Sequence, residues 1–460
     1  MNRPAKIFGT DGVRGTANIE PVTAETALKL GRAAAHVFKN LQSQARGRGK
    51  HKIVIGKDTR LSGYMLENAL SSGILSMGVD VLLIGPLPTP GVAYVTRSLR
   101  ADAGIVITAS HNPYADNGIK FFRADGYKLD DAIESRIEEL VFSGEINTLR
   151  PTADAIGKAM RIDDALGRYI EYAKTSFPRQ LTLEGLRVVA DCAHGAAYKS
   201  TPCVLRELGA QVLVYGDKPD GTNINQDCGS MHPQHLCQLV RRHHAHLGIA
   251  HDGDADRVLL CDEAGNLIDG DDILAILALE LLAQRTLRGK TVVATVMSNA
   301  GLEALIHKAG GKLLRAPVGD QNVLAEMLKH DLNLGGEQSG HIILRDFSTT
   351  GDGLVAALQI LRVMKTTGKP LSRLAGCWTR FPQLLTNILV RDKKPLADVA
   401  GLPALLARAQ ADLQPQGGRI LLRYSGTEPK VRLLLEGPKA PALHRWDQKI
   451  STLLRQQLGA

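Results

Sequence analysis

The chain has 460 residues, a length that predicts two to four compact domains. Hydrophobic residues make up 44% and charged residues 22%, which excludes a disordered or fibrous protein. The net charge of +9 favours an anionic partner, but aromatic residues are only 4%, so no nucleic-acid partner is expected. The sequence contains neither a basic-apolar leader nor eighteen consecutive apolar residues, which predicts a cytoplasmic protein with no membrane partner.

Short apolar, β-branched runs alternate with longer helical patterns through the first two thirds of the chain. This alternation predicts βαβ units and mixed, mostly parallel sheets, which is an α/β fold. The predicted strands include residues 53–55, 81–84, 104–107, 188–190, 212–215 and 291–295.

Breaks in this pattern predict the domain boundaries. Gly, Pro and polar residues interrupt it near residues 149–152, just after residue 257 and near residues 366–370. The first three domains are expected to be α/β, and the last, which has two apolar runs about a turn, is expected to be a smaller α+β domain. The predicted domains are 1–152, 153–257, 258–368 and 369–460.

Each of the first three domains places a polar cluster directly after an apolar run. Ligands of open α/β sheets bind beyond the carboxyl ends of the strands, so the three clusters are expected to line one cleft. They occupy residues 108–113, 252–257 and 335–341.

The densest acidic feature is a loop with carboxylates at alternate positions, Asp252, Asp254 and Asp256. Unneutralised carboxylates repel one another, and their hard oxygen atoms suit Mg²⁺ or Ca²⁺. An EF-hand is disfavoured because Arg257 stands where that calcium loop needs Gly. The loop therefore predicts a metal site, and a solvated acidic turn is the alternative.

The second cluster, Thr-Ala-Ser-His-Asn-Pro, contains Ser110 and follows a predicted buried strand. Pro113 is suited to the first position of a helix, which predicts that Ser110 lies at a strand-to-helix turn. Such a turn exposes a hydroxyl and directs backbone N–H groups at a bound anion. A simple helix cap is the alternative.

Two further loops carry groups suited to a phosphosugar. Near the end of the chain, hydroxyls, backbone amides and a guanidinium are available to bind a phosphate, and a plain β-turn is the alternative. In the third domain, a carboxylate, a hydroxyl and an imidazole fit recognition of sugar hydroxyls, although a polar surface loop has a similar composition. The residues are Arg423, Ser425, Gly426 and Thr427 in the first loop, and Glu337, Ser339 and His341 in the second.

Taken in order, these motifs resemble the alpha-D-phosphohexomutase family over essentially the whole chain. Several motifs in the right order are far more specific than any one of them. Besides the loops above, the resemblance includes residues 8–15, 56–60, 116–120, 219–225 and 228–230.

The resemblance implies four domains around a central cleft and a role for each loop. Ser110 would carry the transferable phosphoryl group, and the three aspartates with an oxygen of phospho-Ser110 would hold one Mg²⁺ ion. The loop at 337–341 would bind the sugar, and the loop at 423–427 its non-reacting phosphate. Arg14, His111 and Lys120 are the candidates around the moving group, and the general acid or base stays open between Lys120 and His341.

The resemblance also implies an isomerase that interconverts glucosamine 6-phosphate and glucosamine 1-phosphate for cell-wall precursor synthesis. Its intermediates would be a phosphoserine enzyme and a 1,6-bisphosphate, with a trace of sugar bisphosphate as activator. Gln338 and Asp320 favour the glucosamine branch, whereas Pro317 and Gln321 replace cationic residues common in the family.

Three questions stay open at this stage. Within the family, the alternative is turnover of mannose or glucose phosphates; outside it, the alternatives are a catalytically silent phosphosugar- or metal-binding protein and a basic nucleic-acid binder. The expected partner is the small phosphosugar alone. The oligomeric state is open, and a homodimer is one alternative.

Overall fold

The computed structural model describes residues 6–9, 11–46, 50–425 and 429–459. Within these residues the strands form four sheets in chain order. Helices connect the strands of the first three sheets, whereas the fourth sheet is small and antiparallel. The predicted α/β fold with a smaller α+β unit at the end is confirmed. None of the helices described is both long and apolar enough to cross a membrane.

The first sheet contains seven strands, β1 (Phe8–Gly9), β2 (Gly12–Thr16), β3 (Lys52–Lys57), β4 (Asp80–Pro86), β5 (Ala103–Ile107), β6 (Asp116–Arg123) and β7 (Ala159–Arg161). Their order is β1-β2-β6-β5-β3-β4-β7, and β6 runs antiparallel to its neighbours. Every residue of β5 is buried, as expected for a central strand in a sheet that helices cover. The helices are α1 (Ala24–Arg46), α2 (Ser62–Leu75), α3 (Thr89–Ser98) and α4 (Asp131–Ser143).

The second sheet contains five strands, β8 (Arg187–Asp191), β9 (Gln211–Tyr215), β10 (Leu247–His251), β11 (Val258–Asp262) and β12 (Leu267–Ile268). Their order is β12-β11-β10-β8-β9. The helices of this part of the chain are α5 (Ala165–Thr175), α6 (Ser200–Glu207) and α7 (Pro233–Arg242).

The third sheet contains four strands, β13 (Thr291–Thr295), β14 (Lys312–Ala316), β15 (Leu334–Gly336) and β16 (Ile342–Leu344), in the order β14-β13-β15-β16. Its helices are α8 (Gly270–Ala283), α9 (Ala300–Lys308), α10 (Asp320–Lys329), α11 (Gly353–Thr367) and α12 (Leu371–Ala375). A capping box begins α8, because Asp269 and Asp272 satisfy each other's backbone N–H groups.

The fourth sheet contains three antiparallel strands, β17 (Gln383–Leu389), β18 (Arg419–Tyr424) and β19 (Lys430–Glu436), in the order β17-β19-β18. Helices α13 (Leu402–Leu413) and α14 (Ala440–Leu458) belong to this unit. Its apolar core is separate and includes Leu433 and Trp446.

The first three sheets share one strand order. In each, three neighbouring strands are parallel, and the third of them, the central strand, pairs on its other side with an antiparallel strand. The orders are β4-β3-β5-β6, β9-β8-β10-β11 and β14-β13-β15-β16. Of the three polar clusters predicted from the sequence, two follow the equivalent central strands β5 and β10, and the third begins within β15 and continues beyond it. A single apolar core, which includes Val106, Ile249 and Leu334, runs through all three units and holds these loops in one body.

The predicted domain boundaries need correction. The boundary at 152 separates β7 from its partner β4, and the boundary at 257 separates β11 and β12 from β10. The boundary at 368 separates α12 from α8, against which it packs. Polar and Gly-rich breaks occur at loops within a sheet as well as between units, so the sequence pattern placed these boundaries too early.

Candidate active site

Ser110 lies against the acidic loop of the second unit. Its Oγ donates a hydrogen bond to Asp252 Oδ2 at 2.6 Å, and the Ser110 residue is 2% exposed. Residue 110 belongs to the loop after β5, and residue 252 to the loop after β10. The shared core of the first three units therefore brings together two predicted site residues that are 142 positions apart.

The predicted strand-to-helix turn at Ser110 is wrong. The loop from residue 108 to 115 leads into β6, which pairs with β5, so it is the turn of a hairpin. Ser110 adopts a left-handed backbone conformation with φ of 52°. Pro113 lies in this turn rather than at the start of a helix, because the chain returns along the sheet. No helix N-terminus follows Ser110, so positive charge at this loop comes from side chains.

Arg60 holds the backbone of the Ser110 loop. Its guanidinium is buried and donates to the carbonyl oxygens of Ser110 at 2.9 Å and Asn112 at 2.8 Å. It also donates to the carbonyl oxygens of Pro113 and Asp116. These hydrogen bonds fix a backbone that no regular element supports.

Two partners complete this arrangement. Asp58 Oδ2 pairs with Arg60 Nε at 2.8 Å, and Asn225 Nδ2 donates to the Ser110 carbonyl at 2.9 Å. Residues 56–60 and 219–225 belong to the motifs of the family resemblance, but no role for Arg60 or Asn225 is predicted from those motifs. A buried Arg that binds carbonyl groups has no local sequence signature, so only the fold reveals it.

The acidic loop is fully enclosed. Asp252 and Asp254 are 0% exposed and Asp256 is 4% exposed, and one oxygen from each lies within 4.8 Å of the others. Asp254 Oδ1 and Asp256 Oδ1 are buried without a hydrogen-bond partner among the described residues. Burial raises the pKa of Asp252 well above its usual value, and repulsion from the other two carboxylates adds to this rise. Such unpaired, mutually repelling oxygen atoms fit a bound cation.

Two neighbours shape the acidic loop. His251 Nδ1 lies 3.1 Å from the carbonyl oxygen of Arg257, and His251 Nε2 lies 3.0 Å from Thr201 Oγ1. The N–H of Gly353, at the start of α11, donates to the Ala255 carbonyl at 3.1 Å. The acidic loop is thus fixed by one contact between its two ends and by contacts with Thr201 and with the start of α11.

Lys120 is the buried cation next to the carboxylates. Its Nζ lies 2.8 Å from Asp11 Oδ2, 3.2 Å from Asp254 Oδ2 and 3.8 Å from Asp256 Oδ2. Burial disfavours the charged amine, but attraction to these three carboxylates outweighs burial and raises the pKa of Lys120 above its usual value. Lys120 is therefore an ammonium ion, which favours an electrostatic role over abstraction of a proton.

A ring of ion pairs extends from Lys120 into the third unit. Lys128 Nζ contacts Asp11 Oδ1 at 2.5 Å and also pairs with Asp320. Asp320 Oδ2 lies 3.7 Å from His341 Nε2, and His341 Nδ1 lies 3.5 Å from Asp256 Oδ2. No role for Lys128 is predicted from the sequence, since a lone Lys after a strand has no distinctive pattern.

His111 and Arg14 lie at the edge of this group. His111 Nδ1 is 3.3 Å from Ser110 Oγ, and Arg14 pairs with Asp11 at 3.0 Å. Burial lowers the pKa of His111 to about 4, and the nearby Arg257 and Arg14 add to the effect. The His111 ring is therefore neutral near pH 7 and is a hydrogen-bonding group rather than a cation.

The predicted sugar loop follows β15. Glu337 Oε1 accepts a hydrogen bond from the Gly319 N–H at 3.0 Å, and Ser339 Oγ lies 3.5 Å from Glu337 Oε2. Through His341 this loop reaches Asp256 of the acidic loop. Gln338, in contrast, donates its side-chain amide to Asp269 Oδ2 at 3.2 Å.

The predicted phosphate loop belongs to the fourth unit. Arg423 lies in β18, where Arg432 of β19 is its cross-strand neighbour. Ser425 is buried; its N–H donates to the Lys430 carbonyl at 2.8 Å, and its own carbonyl accepts from Lys393 Nζ at 2.7 Å. Gly426 and Thr427 lie outside the described residues. These contacts are with residues of the fourth unit, so convergence on the cleft stays a prediction.

Family models match along most of the chain. They are the phosphoglucomutase/phosphomannomutase alpha/beta/alpha domains I, II and III, at residues 5–147, 167–265 and 269–381, and the C-terminal domain of the same family, at residues 385–453. The matches and the site geometry agree with the resemblance drawn from the motifs. The chain belongs to the phosphoglucomutase/phosphomannomutase family, the alpha-D-phosphohexomutases.

Curated relatives are similar over their full length. The chain is 55% identical over 454 residues to the phosphoglucosamine mutase of Geobacter metallireducens, covering 99% of both chains. It is also 55% identical over 454 residues to the phosphoglucosamine mutase of Syntrophotalea carbinolica, covering 99% of this chain and 98% of that protein.

Solved structures have the same fold. A phosphoglucomutase/phosphomannomutase family protein from Burkholderia thailandensis has a TM-score of 0.78 at 25% identity, covering 98% of this chain and 97% of that chain. The Aspergillus fumigatus N-acetylphosphoglucosamine mutase, solved with GlcNAc-6P and magnesium, has a TM-score of 0.64 at 16% identity, covering 98% and 95%. The second likeness concerns the fold alone.

Proposed function

We propose that the chain is a phosphoglucosamine mutase, which interconverts glucosamine 6-phosphate and glucosamine 1-phosphate through a phosphoserine at Ser110. The observation that carries this proposal is the 2.6 Å hydrogen bond from Ser110 Oγ into the buried carboxylate group. The preference for the amino sugar is supported by the 55% identity to curated phosphoglucosamine mutases over 99% of the chain. Turnover of mannose or glucose phosphates is the alternative within the family.

The metal we propose is one Mg²⁺ ion, held by Asp252, Asp254 and Asp256. The buried oxygens without hydrogen-bond partners fit a hard cation, and the cluster offers few protein ligands, which suits Mg²⁺ bound beside a phosphate. When bound, the ion would neutralise charge on the phosphoryl oxygens. An oxygen of phospho-Ser110 would be its further ligand.

In the first transfer, the bond between Ser110 Oγ and phosphorus breaks, and a bond forms between the same phosphorus and the C1 oxygen of glucosamine 6-phosphate. The product is the 1,6-bisphosphate. Lys120 provides a fixed positive charge next to Asp254 of the acidic loop. Asp11 pairs with both Lys120 and Arg14, so Arg14 adds a second positive charge nearby. Phosphoryl transfer needs such positioning and charge stabilisation more than covalent chemistry by the protein. The C1 hydroxyl loses a proton and the Ser110 oxygen gains one; Lys120 is already an ammonium ion and suits the donor, which leaves His341 as the acceptor.

In the second transfer, the bisphosphate has reversed in the cleft; the bond between its second phosphorus and the C6 oxygen breaks, and that phosphorus bonds to Ser110 Oγ. The Ser110 hydroxyl loses its proton and the C6 oxygen gains one, by way of the same two groups acting in reverse. Glucosamine 1-phosphate leaves, and phospho-Ser110 is restored. We assign the sugar hydroxyls to Glu337 and Ser339, and the non-reacting phosphate to Arg423 and the residues after it.

The experiment is a comparison of kcat/KM for glucosamine 6-phosphate, glucose 6-phosphate and mannose 6-phosphate, with Mg²⁺ and a trace of sugar 1,6-bisphosphate. We expect the amino sugar to be preferred strongly. A preference for a neutral sugar would retain the Ser110 mechanism and reject the glucosamine assignment. If none of the three sugar phosphates is turned over, the result favours the alternative of a catalytically silent phosphosugar-binding protein.

Ser110→Ala tests the phosphoserine separately. We expect kcat to fall by at least about 10³-fold and the phosphoryl mass adduct of the wild type to disappear. Ser143→Ala, at the exposed end of α4, is the matched control and should keep both activity and adduct. Near-normal turnover of Ser110→Ala would reject the mechanism. The homodimer and the cytoplasmic location stay predictions, which sedimentation and cell fractionation can check.

A further inference from the structure

The carboxylate of Asp269 connects two segments that are far apart in the sequence. Its Oδ2 accepts a hydrogen bond from Gln338 of the sugar loop at 3.2 Å and another from Arg380 Nη1 at 2.9 Å. Arg380 Nη2 donates to the other oxygen at 2.8 Å, so Arg380 binds the carboxylate through both of its terminal nitrogens. The side chain of Asp269 is 19% exposed, so water competes only partly with these bonds.

Arg380 belongs to the linker into the fourth unit, which spans residues 376–382 between α12 and β17. Its guanidinium lies 5.0 Å from the ring of Trp378, and Trp378 Nε1 donates to Asp272 Oδ1 at 3.0 Å. Phe381 exchanges two hydrogen bonds with the side chain of Asn299, each 2.9 Å long. The linker is therefore fixed to the third unit by specific side chains rather than by apolar packing alone.

The sugar loop is equally tied to the start of α8. The Gly270 N–H donates to the Gln338 carbonyl at 3.0 Å, and a Cβ at residue 270 would lie 1.9 Å from the Glu337 carbonyl oxygen. The loop backbone therefore touches the residue that follows Asp269. A displacement of Asp269 moves the backbone of Glu337 with it.

We propose that Asp269 is a positioning residue that couples the linker of the fourth unit to the sugar loop. Gln338 acts through this carboxylate, because its side-chain amide is bound to Asp269. Any difference that residue 338 makes to substrate choice is then indirect, through the position of Glu337. This inference rests on the proposed function, and it adds a route by which the phosphate-binding unit and the sugar loop take up their positions together.

The coupling has a measurable consequence for the intermediate. The bisphosphate must stay in the cleft while it reverses, and each escape leaves Ser110 without its phosphoryl group. If the sugar loop and the fourth unit are uncoupled, the bisphosphate leaves more often before the second transfer. The enzyme then needs more added sugar bisphosphate to remain active.

The experiment compares Arg380→Met and Gln338→Met with the wild type. Met has the length of Gln and replaces the aliphatic part of Arg, and it has no hydrogen-bond donor. We expect each variant to need about three- to tenfold more glucose 1,6-bisphosphate for half-maximal activity, and to lose its phosphoserine mass adduct sooner when no bisphosphate is added. Because both residues bind one carboxylate, the effect of the double variant should be smaller than the product of the two single effects.

Arg445→Met is the matched control, because Arg445 also pairs with an aspartate, Asp412, and lies 5.7 Å from a tryptophan ring, that of Trp446. It lies in α14 and should leave the bisphosphate requirement unchanged. An unchanged requirement in Arg380→Met and Gln338→Met, or the same increase in the control, would overturn the proposal. Single effects that multiply in the double variant would overturn it as well.

Failure of the proposed function would look different. If the wild type does not turn over glucosamine 6-phosphate, the substrate assignment is rejected, and the same variants are compared with whichever hexose phosphate is turned over. If no hexose phosphate reacts, loss of protection from hydrogen exchange at residues 376–382 in Gln338→Met provides the test. Unchanged protection there would reject the coupling.

Discussion

Arg60 binds the carbonyl oxygen of Ser110 at 2.9 Å through a side chain that has no solvent exposure. The same guanidinium binds three other carbonyl groups of the loop and the carboxylate of Asp58. Ser110 has a left-handed backbone, so its loop depends on these bonds for its shape. A residue 50 positions earlier in the chain therefore determines where the Ser110 hydroxyl lies.

Arg60→Lys tests this dependence. Lysine keeps the charge but cannot bind four carbonyl oxygens and a carboxylate in one plane. We expect kcat to fall about 10²-fold, since a shift of about 1 Å at the reacting group has an effect of that size. The measurement is kcat for glucosamine 6-phosphate. Arg168→Lys, which alters an exposed ion pair with Asp164, is the control in the same assay. A normal kcat in Arg60→Lys would show that the loop holds its shape without the guanidinium.

Gly253→Ala tests how closely the acidic loop approaches the Ser110 loop. A Cβ at residue 253 would lie 2.6 Å from the Ser110 carbonyl oxygen and 2.9 Å from Asn225 Nδ2. The loops must separate, so we expect a loss of activity and weaker Mg²⁺ binding, measured by calorimetric titration. Gly167→Ala in α5 is the control, because no atom lies within 4 Å of its added Cβ. That control should stabilise the helix by about 0.8–1 kcal/mol. Normal Mg²⁺ affinity in Gly253→Ala would contradict the close approach.

Asp252→Asn tests the charge of the acidic loop. The asparagine removes a buried carboxylate that two neighbouring carboxylates repel. We expect the melting temperature in EDTA to rise above that of the wild type, while the stabilisation by added Mg²⁺ shrinks and activity is lost. In the wild type, Mg²⁺ at about 100 times its Kd should add about 2.7 kcal/mol to the unfolding free energy. A variant with an unchanged response to Mg²⁺ would reject Asp252 as a ligand.

Asp271 gives a prediction about pH. Burial raises its pKa to about 7, and repulsion from Asp269 adds to the rise. The folded state therefore favours the protonated carboxyl; the corresponding stability is present below about pH 4 and is lost as the pH rises through about 7. Asp271→Asn stays neutral and can still accept the Asn299 N–H, now 2.8 Å away.

We expect urea midpoints of the wild type and Asp271→Asn to be similar at pH 4 and to separate in favour of the variant by pH 8. Asp398→Asn, at an exposed position, is the control. A gap that stays constant with pH would indicate that residue 271 does not change its protonation state.

The strands, and the order of the polar loops that follow them, could be predicted from the sequence. The predicted runs 53–55, 81–84, 104–107, 188–190, 212–215 and 291–295 all lie within strands. The strand before the sugar loop, Leu334–Gly336, overlaps the start of the predicted polar cluster at 335–341. Buried β-branched runs are local features, so they can be recognised from the amino-acid sequence alone.

The turn at Ser110 and the domain boundaries could not be predicted in this way. Pro113 favours a helix start by its own geometry, but the pairing of β6 with β5 overrides that preference. The breaks at residues 152 and 257 resemble linkers, yet strand pairing across them is decided by partners elsewhere in the chain. Hydrogen bonds between distant strands outweigh local propensity in both cases.

The sequence by itself determined which chemical groups are present and in what order: a serine, three alternating aspartates, and the polar loops at 337–341 and 423–427. Only the tertiary structure decided which groups meet, placing Ser110 Oγ on Asp252 and binding Gln338 and Arg380 to one carboxylate of Asp269. The physical reason is that residue type and local spacing are properties of the chain, whereas contacts between loops depend on the shared apolar core of three packed sheets. Buried cations such as Arg60, Lys120 and Lys128 acquire their roles only from that packing.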